Sequence, residues 1–239
     1  MRISRNNWLR YIRQLSAVNG KAARGMETWM EKHPEAEAED LIAAAYAISS
    51  RYGEAAATLA CQMYDETAAA QGAVLPAAVP AETATYSEVA RAVRGTMSNM
   101  HSTVPSTVGR LVKQAGADTT LQNAKRDGAQ WAWVPMGDTC AFCLTLASRG
   151  WQSQSKRAAS SGHAEHIHAN CDCEYAVRFD SRSGVSGYDP GKYLRLYEEA
   201  EGRTPEEKIN SLRRDIYAEN REEINAQKRA AYARRKEEE

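Results

Sequence analysis

The sequence predicts a mainly α protein with a small zinc-stapled α+β module and a helical C-terminal tail. Apolar residues recur every three or four positions in the first half, and this pattern changes after Gly116. Four of the five cysteines lie between positions 140 and 173. For a chain of 239 residues we expect a helical domain over 1–115, a Cys/His module over 116–182, and a linker with a charged helical tail over 183–239.

The helical domain is predicted from four segments with apolar periodicity. Residues 6–18 place their apolar side chains on one side of a first helix, and the recurrence from Leu41 to Thr67 predicts a long second helix. A third helical stripe runs over 89–104, and a short helix is expected at 108–114. Glycine and proline between positions 72 and 80 predict a linker.

Charge is balanced overall but unevenly distributed. Lys plus Arg and Asp plus Glu each number 31, so a uniformly basic nucleic-acid-binding surface is excluded. Every charged residue before Glu27 is basic, which indicates either a solvated helix face or an arm that contacts DNA or an acidic partner. We expect a soluble intracellular product, because the sequence lacks an apolar run long enough for a membrane helix or a signal peptide.

Short strands and a charged tail are predicted in the second half. Alternating residues at 131–134 and 174–180 indicate two strands that flank the cysteine cluster. Farther on, Thr204 and Pro205 have the sequence of a helix N-terminus. The tail that follows carries matched charges, and we expect a solvated helix or one ordered by a partner.

The cysteine cluster predicts one structural zinc ion. Cys140 and Cys143 form a Cys-x2-Cys pair, and His168, Cys171 and Cys173 follow after 24 intervening residues. Two thiolates from a tight turn and a second Cys/His group from a distant segment complete a tetrahedral site. Thiolate and imidazole ligands together favour zinc. The preferred set is Cys140, Cys143, His168 and Cys173, with Cys171 as the alternative to Cys173.

A catalytic role for this zinc is disfavoured. Glu165 follows His163 in a deaminase-like H-x-E pattern, but the Cys-x2-Cys pair precedes this pattern instead of following it. His163 and His166 are treated as additional histidines of a solvated loop. Phosphate-binding, dinucleotide-binding and H-E-x2-H motifs are absent from the sequence, so we predict no enzymatic activity and no catalytic residues. A metal-free redox pair at Cys140 and Cys143 is a weaker alternative.

The motif around the cysteines resembles that of a phage protein family. An aspartate (Asp138) precedes the Cys-x2-Cys pair, a glycine-containing turn (Gly150) comes next, and the His-x2-Cys-x-Cys group leads into a strand. This pattern resembles the MuF-type minor head proteins of tailed phages, especially those of actinobacterial phages and prophages. The resemblance covers roughly 121–180. It implies a virion protein, present in the host cytoplasm during assembly, that acts at the portal vertex or inside the head in assembly and DNA packaging or ejection.

The resemblance also implies partners. These are the phage portal and major capsid proteins, with further copies of the chain as another candidate and no membrane partner. Packaged DNA is a further candidate, contacted through Arg2, Arg5, Arg10 and Arg13. The alternative function is a zinc-containing nucleic-acid-binding protein or nucleic-acid enzyme, which the basic N-terminus and the histidine cluster favour.

Overall fold

A computed structural model describes residues 2–97, 103–136, 139–153, 172–223, 225–226 and 229–230. The chain divides into two compact units. The larger unit contains residues 1–137 and 151–188, and the smaller unit contains residues 138–150 and 189–239. The mainly helical character predicted from the sequence is confirmed. Among the described helices, none is long and apolar enough to cross a bilayer.

Four helices form most of the larger unit. They are α1 (Arg5–Lys32), α2 (Ala38–Gln71), α3 (Tyr86–Met97) and α4 (Val104–Arg126). The first helix is thus longer than the predicted 6–18, and the short helix expected at 108–114 is only the middle of α4. The predicted domain boundary between positions 115 and 116 falls inside the same helix.

Helix α4 is the centre of the larger unit, because it is buried on nearly every side. Small residues allow its close packing: a methyl group added at Gly116 would lie 3.5 Å from both the Ala56 carbonyl oxygen on α2 and Leu15 Cδ1 on α1. Gly109 likewise faces the Asn19 carbonyl oxygen of α1, at 3.6 Å from an added methyl. A helix that is buried on all sides has no single apolar stripe. Apolar periodicity therefore does not predict the full length of α4.

An extended segment, residues 73–85, connects α2 to α3 and is called the strap here. Side chains on the last turns of α4 hold it. The buried Asn123 donates to the Val79 carbonyl oxygen at 2.8 Å and accepts from the Val79 N–H at 2.9 Å. Arg126 donates to two further strap carbonyl oxygens, each at 3.0 Å, and the Thr119 hydroxyl accepts a strap N–H at 3.0 Å. The predicted linker is therefore an ordered element with its backbone groups hydrogen-bonded to α4.

Two small sheets complete the larger unit. Their strands are β1 (Arg2–Ile3), β2 (Gln130–Val134), β3 (Gln152–Ser153), β4 (Glu174–Arg178) and β5 (Gly184–Val185). The antiparallel sheet has the order β3-β2-β4, and Trp133 pairs with Tyr175 while Val134 pairs with Glu174. Strand β1 pairs in parallel with β5, so that Ile3 lies opposite Val185. The two strands predicted on either side of the cysteine cluster are present as β2 and β4.

The smaller unit contains three helices, α5 (Ala141–Ala147), α6 (Pro190–Glu199) and α7 (Pro205–Glu219). The predicted start of α7 is confirmed, because Thr204 and Glu207 form a reciprocal capping box. Lys208 caps the preceding helix by donating to three carbonyl oxygens at the end of α6, at 2.8 to 3.1 Å. The described core of the smaller unit is a small apolar cluster: Ala141, Tyr197, Ala200, Ile209, Leu212 and Ile216.

Candidate functional site

The first pair of predicted zinc ligands lies at the start of α5. Cys140 is the N-terminal capping residue and is partly exposed, whereas Cys143 is buried one turn later. The Cys140 carbonyl oxygen accepts the Leu144 N–H at 3.0 Å, which begins the helix. The two thiols therefore lie at the start of a short helix.

Cys173, the third predicted ligand among the described residues, lies directly before β4 and is fully buried. The Met136 N–H, just beyond the end of β2, donates to Cys173 Sγ at 3.4 Å. This approach follows from the strand register, because Val134 and Glu174 are opposite each other at this end of the sheet. A backbone N–H that points at sulfur favours the thiolate over the thiol, and the thiolate is the form that binds metal.

The remaining predicted ligands, His168 and Cys171, lie outside the described residues, as do His163, Glu165 and His166. Among the residues that the structure describes, no group of three or more His, Cys, Asp or Glu side chains is arranged to hold a metal ion. The described chain thus provides three of the five predicted ligands, and the zinc ion stays a prediction.

A buried acidic side chain that no sequence pattern predicts follows Cys173. Glu174 is fully buried, and its Oε1 accepts the N–H of Tyr175 at 2.8 Å. The negative charge of Glu174 interacts electrostatically with Tyr11 on α1. Burial and, next, the Glu174 carboxylate raise the pKa of Tyr11 well above its usual value, while the Thr120 hydroxyl acts in the opposite direction. Tyr11 consequently stays a neutral phenol at any physiological pH.

A buried cation faces the same sheet from α4. Lys113 is only 1% exposed, and its Nζ lies 5.7 Å from the centre of the Trp133 ring. Trp133 and Trp131 both pack edge-on against Tyr175, with ring centres 4.7 and 5.3 Å apart. Buried charges are tolerated only where other charges or hydrogen bonds compensate them. Lys113 and Glu174 are therefore two ionisable groups that lie buried where α4 packs on the sheet.

The sequence offered only a weak signal for these two charges. Lys113 follows Leu111 and Val112, and Glu174 begins a strand that otherwise reads as half-buried. A long charged side chain at such a position usually extends to solvent. Only the packing of α4 against the sheet shows that Lys113 and Glu174 do not extend to solvent.

The basic residues of α1 occupy the side of the helix that faces away from the core. Arg10 and Arg13 are exposed, and so are Lys21 and Arg24 farther along, whereas the buried side chains of α1 point in the opposite direction. These four residues are called the basic face. From the helical rise they extend over about 21 Å. Arg10 pairs with Glu66 of α2 at 2.9 Å.

The fold and these sites define a mainly helical protein with a small antiparallel sheet, a cysteine motif and buried charges. A family model described as VG15 protein matches residues 2–200, and the chain therefore belongs to the VG15 protein family. This phage-associated family identifies the chain as a phage protein. No curated protein and no solved structure matches it.

Proposed function

We propose that this phage protein is a MuF-like minor head protein. It would be a structural component that acts at the portal vertex or inside the head, in capsid assembly and in DNA packaging or ejection. The observation that carries this proposal is the Cys/His motif that resembles the MuF pattern, present in a chain that matches a phage-associated family over residues 2–200.

We further propose that a single structural zinc ion stabilises the cysteine motif. Five candidate ligands, Cys140, Cys143, His168, Cys171 and Cys173, exceed the four positions of a tetrahedral zinc site, which favours a closed and non-catalytic shell. The hydrogen bond from the Met136 N–H to the buried sulfur of Cys173 supports a thiolate ligand at that position. Zinc would supply folding free energy to this part of the chain and no reactive water.

The assembly role is tested by co-purification. When the tagged chain is co-expressed with the portal and major capsid proteins encoded by the same phage, we expect it to retain the portal protein at a fixed ratio. We also expect mass spectrometry to detect the chain in purified particles. A non-structural protein of the same phage serves as the control. Failure to retain either partner, together with absence from the particles, would rule out the role.

The basic face supports a second candidate function, which is contact with the phosphates of nucleic acid. The proposed contact residues are Arg13, Lys21 and Arg24, which lie exposed on one side of α1, whereas Arg10 is paired with Glu66. Exposed cations at this spacing would neutralise phosphates without reading the base sequence. Such contact is compatible with a location inside the head.

Salt dependence distinguishes this contact from a merely solvated face. With three phosphate contacts, the affinity for a 20-base-pair duplex should fall roughly 40-fold between 50 and 200 mM salt. The triple variant Arg13→Gln, Lys21→Gln, Arg24→Gln should abolish most of this dependence. The control Arg94→Gln changes an exposed arginine of α3 that is paired with Glu39 and should leave binding unchanged. Equal DNA binding by the triple variant and the unmodified protein would refute the contact. Fluorescence anisotropy measures the affinity for the duplex and its dependence on salt.

A further inference from the structure

An apolar ridge runs along the outer side of the strap. It consists of the exposed residues Val74, Pro76, Ala77, Val79 and Pro80, of which Val74 is 99% and Val79 is 53% exposed. The whole run 73–81 contains only alanine, valine, leucine and proline. A single exposed apolar residue is ordinary on a protein surface, whereas neighbouring exposed apolar residues that form one patch indicate an interaction site.

The backbone of the apolar ridge is bonded to the protein behind it. Asn123 and Arg126 of α4 bind three of its carbonyl oxygens. Asp65 of α2 accepts the Ala78 N–H at 2.9 Å. These hydrogen bonds fix the extended conformation, so docking of the ridge costs little conformational entropy. They also occupy backbone groups that strand addition would need, and a partner therefore contacts the ridge through its apolar side chains.

An open groove of about 620 Å³ lies at the turn between α1 and α2. It is called the Trp29 groove. Its surface is mostly apolar, and its apolar lining residues are Trp29, Pro34, Ala36, Ala43 and Ala44. Concave surfaces lined by aromatic and small apolar side chains are the usual receptors for apolar groups.

The aromatic wall of the Trp29 groove is held in place before any partner binds. The Trp29 and His33 rings are stacked, with centres 4.5 Å apart and planes inclined by 20°. The His33 Nδ1–H donates to the Trp29 carbonyl oxygen at 2.8 Å, and the His33 carbonyl oxygen accepts the Ala36 N–H at 3.1 Å. A tryptophan ring fixed in this way provides a large apolar contact area, as the anchoring residues of protein interfaces do.

The charges at the mouth of the Trp29 groove favour an uncharged occupant. Lys32 lines the groove together with Glu35 and Asp40, so both signs of charge are present. An anionic occupant would meet two carboxylates, and a cationic occupant would lose hydration beside Lys32. The apolar ridge brings no charge into the groove, and it avoids both costs.

We propose that the apolar ridge of one copy of this chain docks in the Trp29 groove of a second copy. Both surfaces belong to the larger unit, but they lie at different positions along α2. The ridge is bonded to α2 at Asp65, and the groove is lined by Ala44, which the helical rise places about 30 Å away. The ridge therefore does not fill the groove of its own chain. This inference goes beyond the minor head role and does not depend on it.

The size of the contact predicts a weak association. The ridge presents five exposed residues, whereas a stable interface contains about 20–30 residues on each side. We therefore expect a Kd of about 100 µM for one contact. Because the ridge and the groove are different surfaces, each copy can make two such contacts, and a second contact strengthens the assembly without any new surface.

Sedimentation velocity of the full-length protein, at about 5 to 500 µM, tests the proposal. The mean mass should rise with concentration above the 26.4 kDa of one chain. The ridge variant Val74→Ser, Val79→Ser and the groove variant Ala43→Glu should each weaken association by about tenfold or more. Two matched controls, Ala55→Glu at an exposed alanine farther along α2 and Leu194→Ser in the smaller unit, should leave association unchanged. All these positions are exposed, so the variants should fold normally.

An equimolar mixture of the ridge variant and the groove variant decides whether the two surfaces bind each other. One variant keeps an intact groove and the other keeps an intact ridge, so the mixture should associate and stop at two chains. Three results would overturn the proposal: an unmodified protein that stays monomeric at the highest concentration, a ridge or groove variant that associates as tightly as the unmodified protein, and a mixture that stays monomeric. Loss of association in the ridge variant alone would mean that the ridge binds a different surface.

Discussion

Removing zinc with a chelator is expected to unfold the strands next to the cysteine motif while leaving the long helices folded. The protein as purified should contain about one zinc ion per chain, and the binding free energy of a structural zinc site is on the order of 10 kcal/mol. Because the proposed ligands flank β2 and β4, these strands should lose their protection in hydrogen exchange. Helices α2 and α4 pack extensively on each other and should remain protected.

A pair of cysteine variants provides the control for this experiment. Cys140 and Cys61 are both partly exposed, but only Cys140 belongs to the motif. Cys140→Ser should therefore lose zinc and lower the melting temperature, while Cys61→Ser on α2 should keep both at the values of the unmodified protein. If the purified protein contains no metal and Cys140→Ser melts at an unchanged temperature, the zinc proposal is wrong.

Leucine at position 116 should be among the most destabilising single substitutions in the larger unit. The position lies where α4 approaches α1 and α2, and even one added methyl group would already be in contact with Ala56 and Leu15 at 3.5 Å. The further carbons of a leucine have no space there and must separate the helices. We expect Gly116→Leu to lower the free energy of unfolding by about 3 kcal/mol or more, as overpacked cores do. Denaturant unfolding followed by circular dichroism measures the change.

Alanine at the same position is the matched control. Its single methyl would lie at ordinary contact distance, and alanine gains up to about 1 kcal/mol of helix propensity over glycine. Gly116→Ala should therefore stay within about 1 kcal/mol of the unmodified protein. If both variants unfold at the same denaturant concentration as the unmodified protein, α4 does not pack as closely as described.

The sequence predicts those helices and strands that are buried on one side and exposed on the other. The second helix was recognised because Leu41, Ala45 and Ala56 lie on one stripe, and all three are buried. For α4 the sequence predicts only a short helix. The buried residues of α4 surround the helix, so that no apolar stripe distinguishes it from a loop rich in small residues. The strap was recognised as a linker, but its attachment depends on Asn123, whose two hydrogen bonds to Val79 only the tertiary structure shows.

Of the candidate sites, the sequence predicts the cysteine motif but not the buried charged residues. Spacing alone identified the cysteine motif, because metal ligands must recur at intervals that fit a tetrahedron. The structure adds the burial of Cys173 and the N–H that points at its sulfur. The burial of Lys113 and Glu174 is not predicted, since no local pattern distinguishes a buried charged side chain from one that reaches water.

The parallel pairing of β1 with β5 constrains how the chain folds during synthesis. Ile3 is buried and lies opposite Val185, and the Ser186 N–H donates to the Ile3 carbonyl oxygen at 3.1 Å. Strand β1 is thus synthesised before nearly all of the larger unit, and β5, with which it pairs, is synthesised near the end of that unit. Such a contact between distant positions forms late, because closing a long loop costs entropy before the contact is gained. The helices can assemble on the growing chain, and the pairing of β1 with β5 marks the completion of the larger unit.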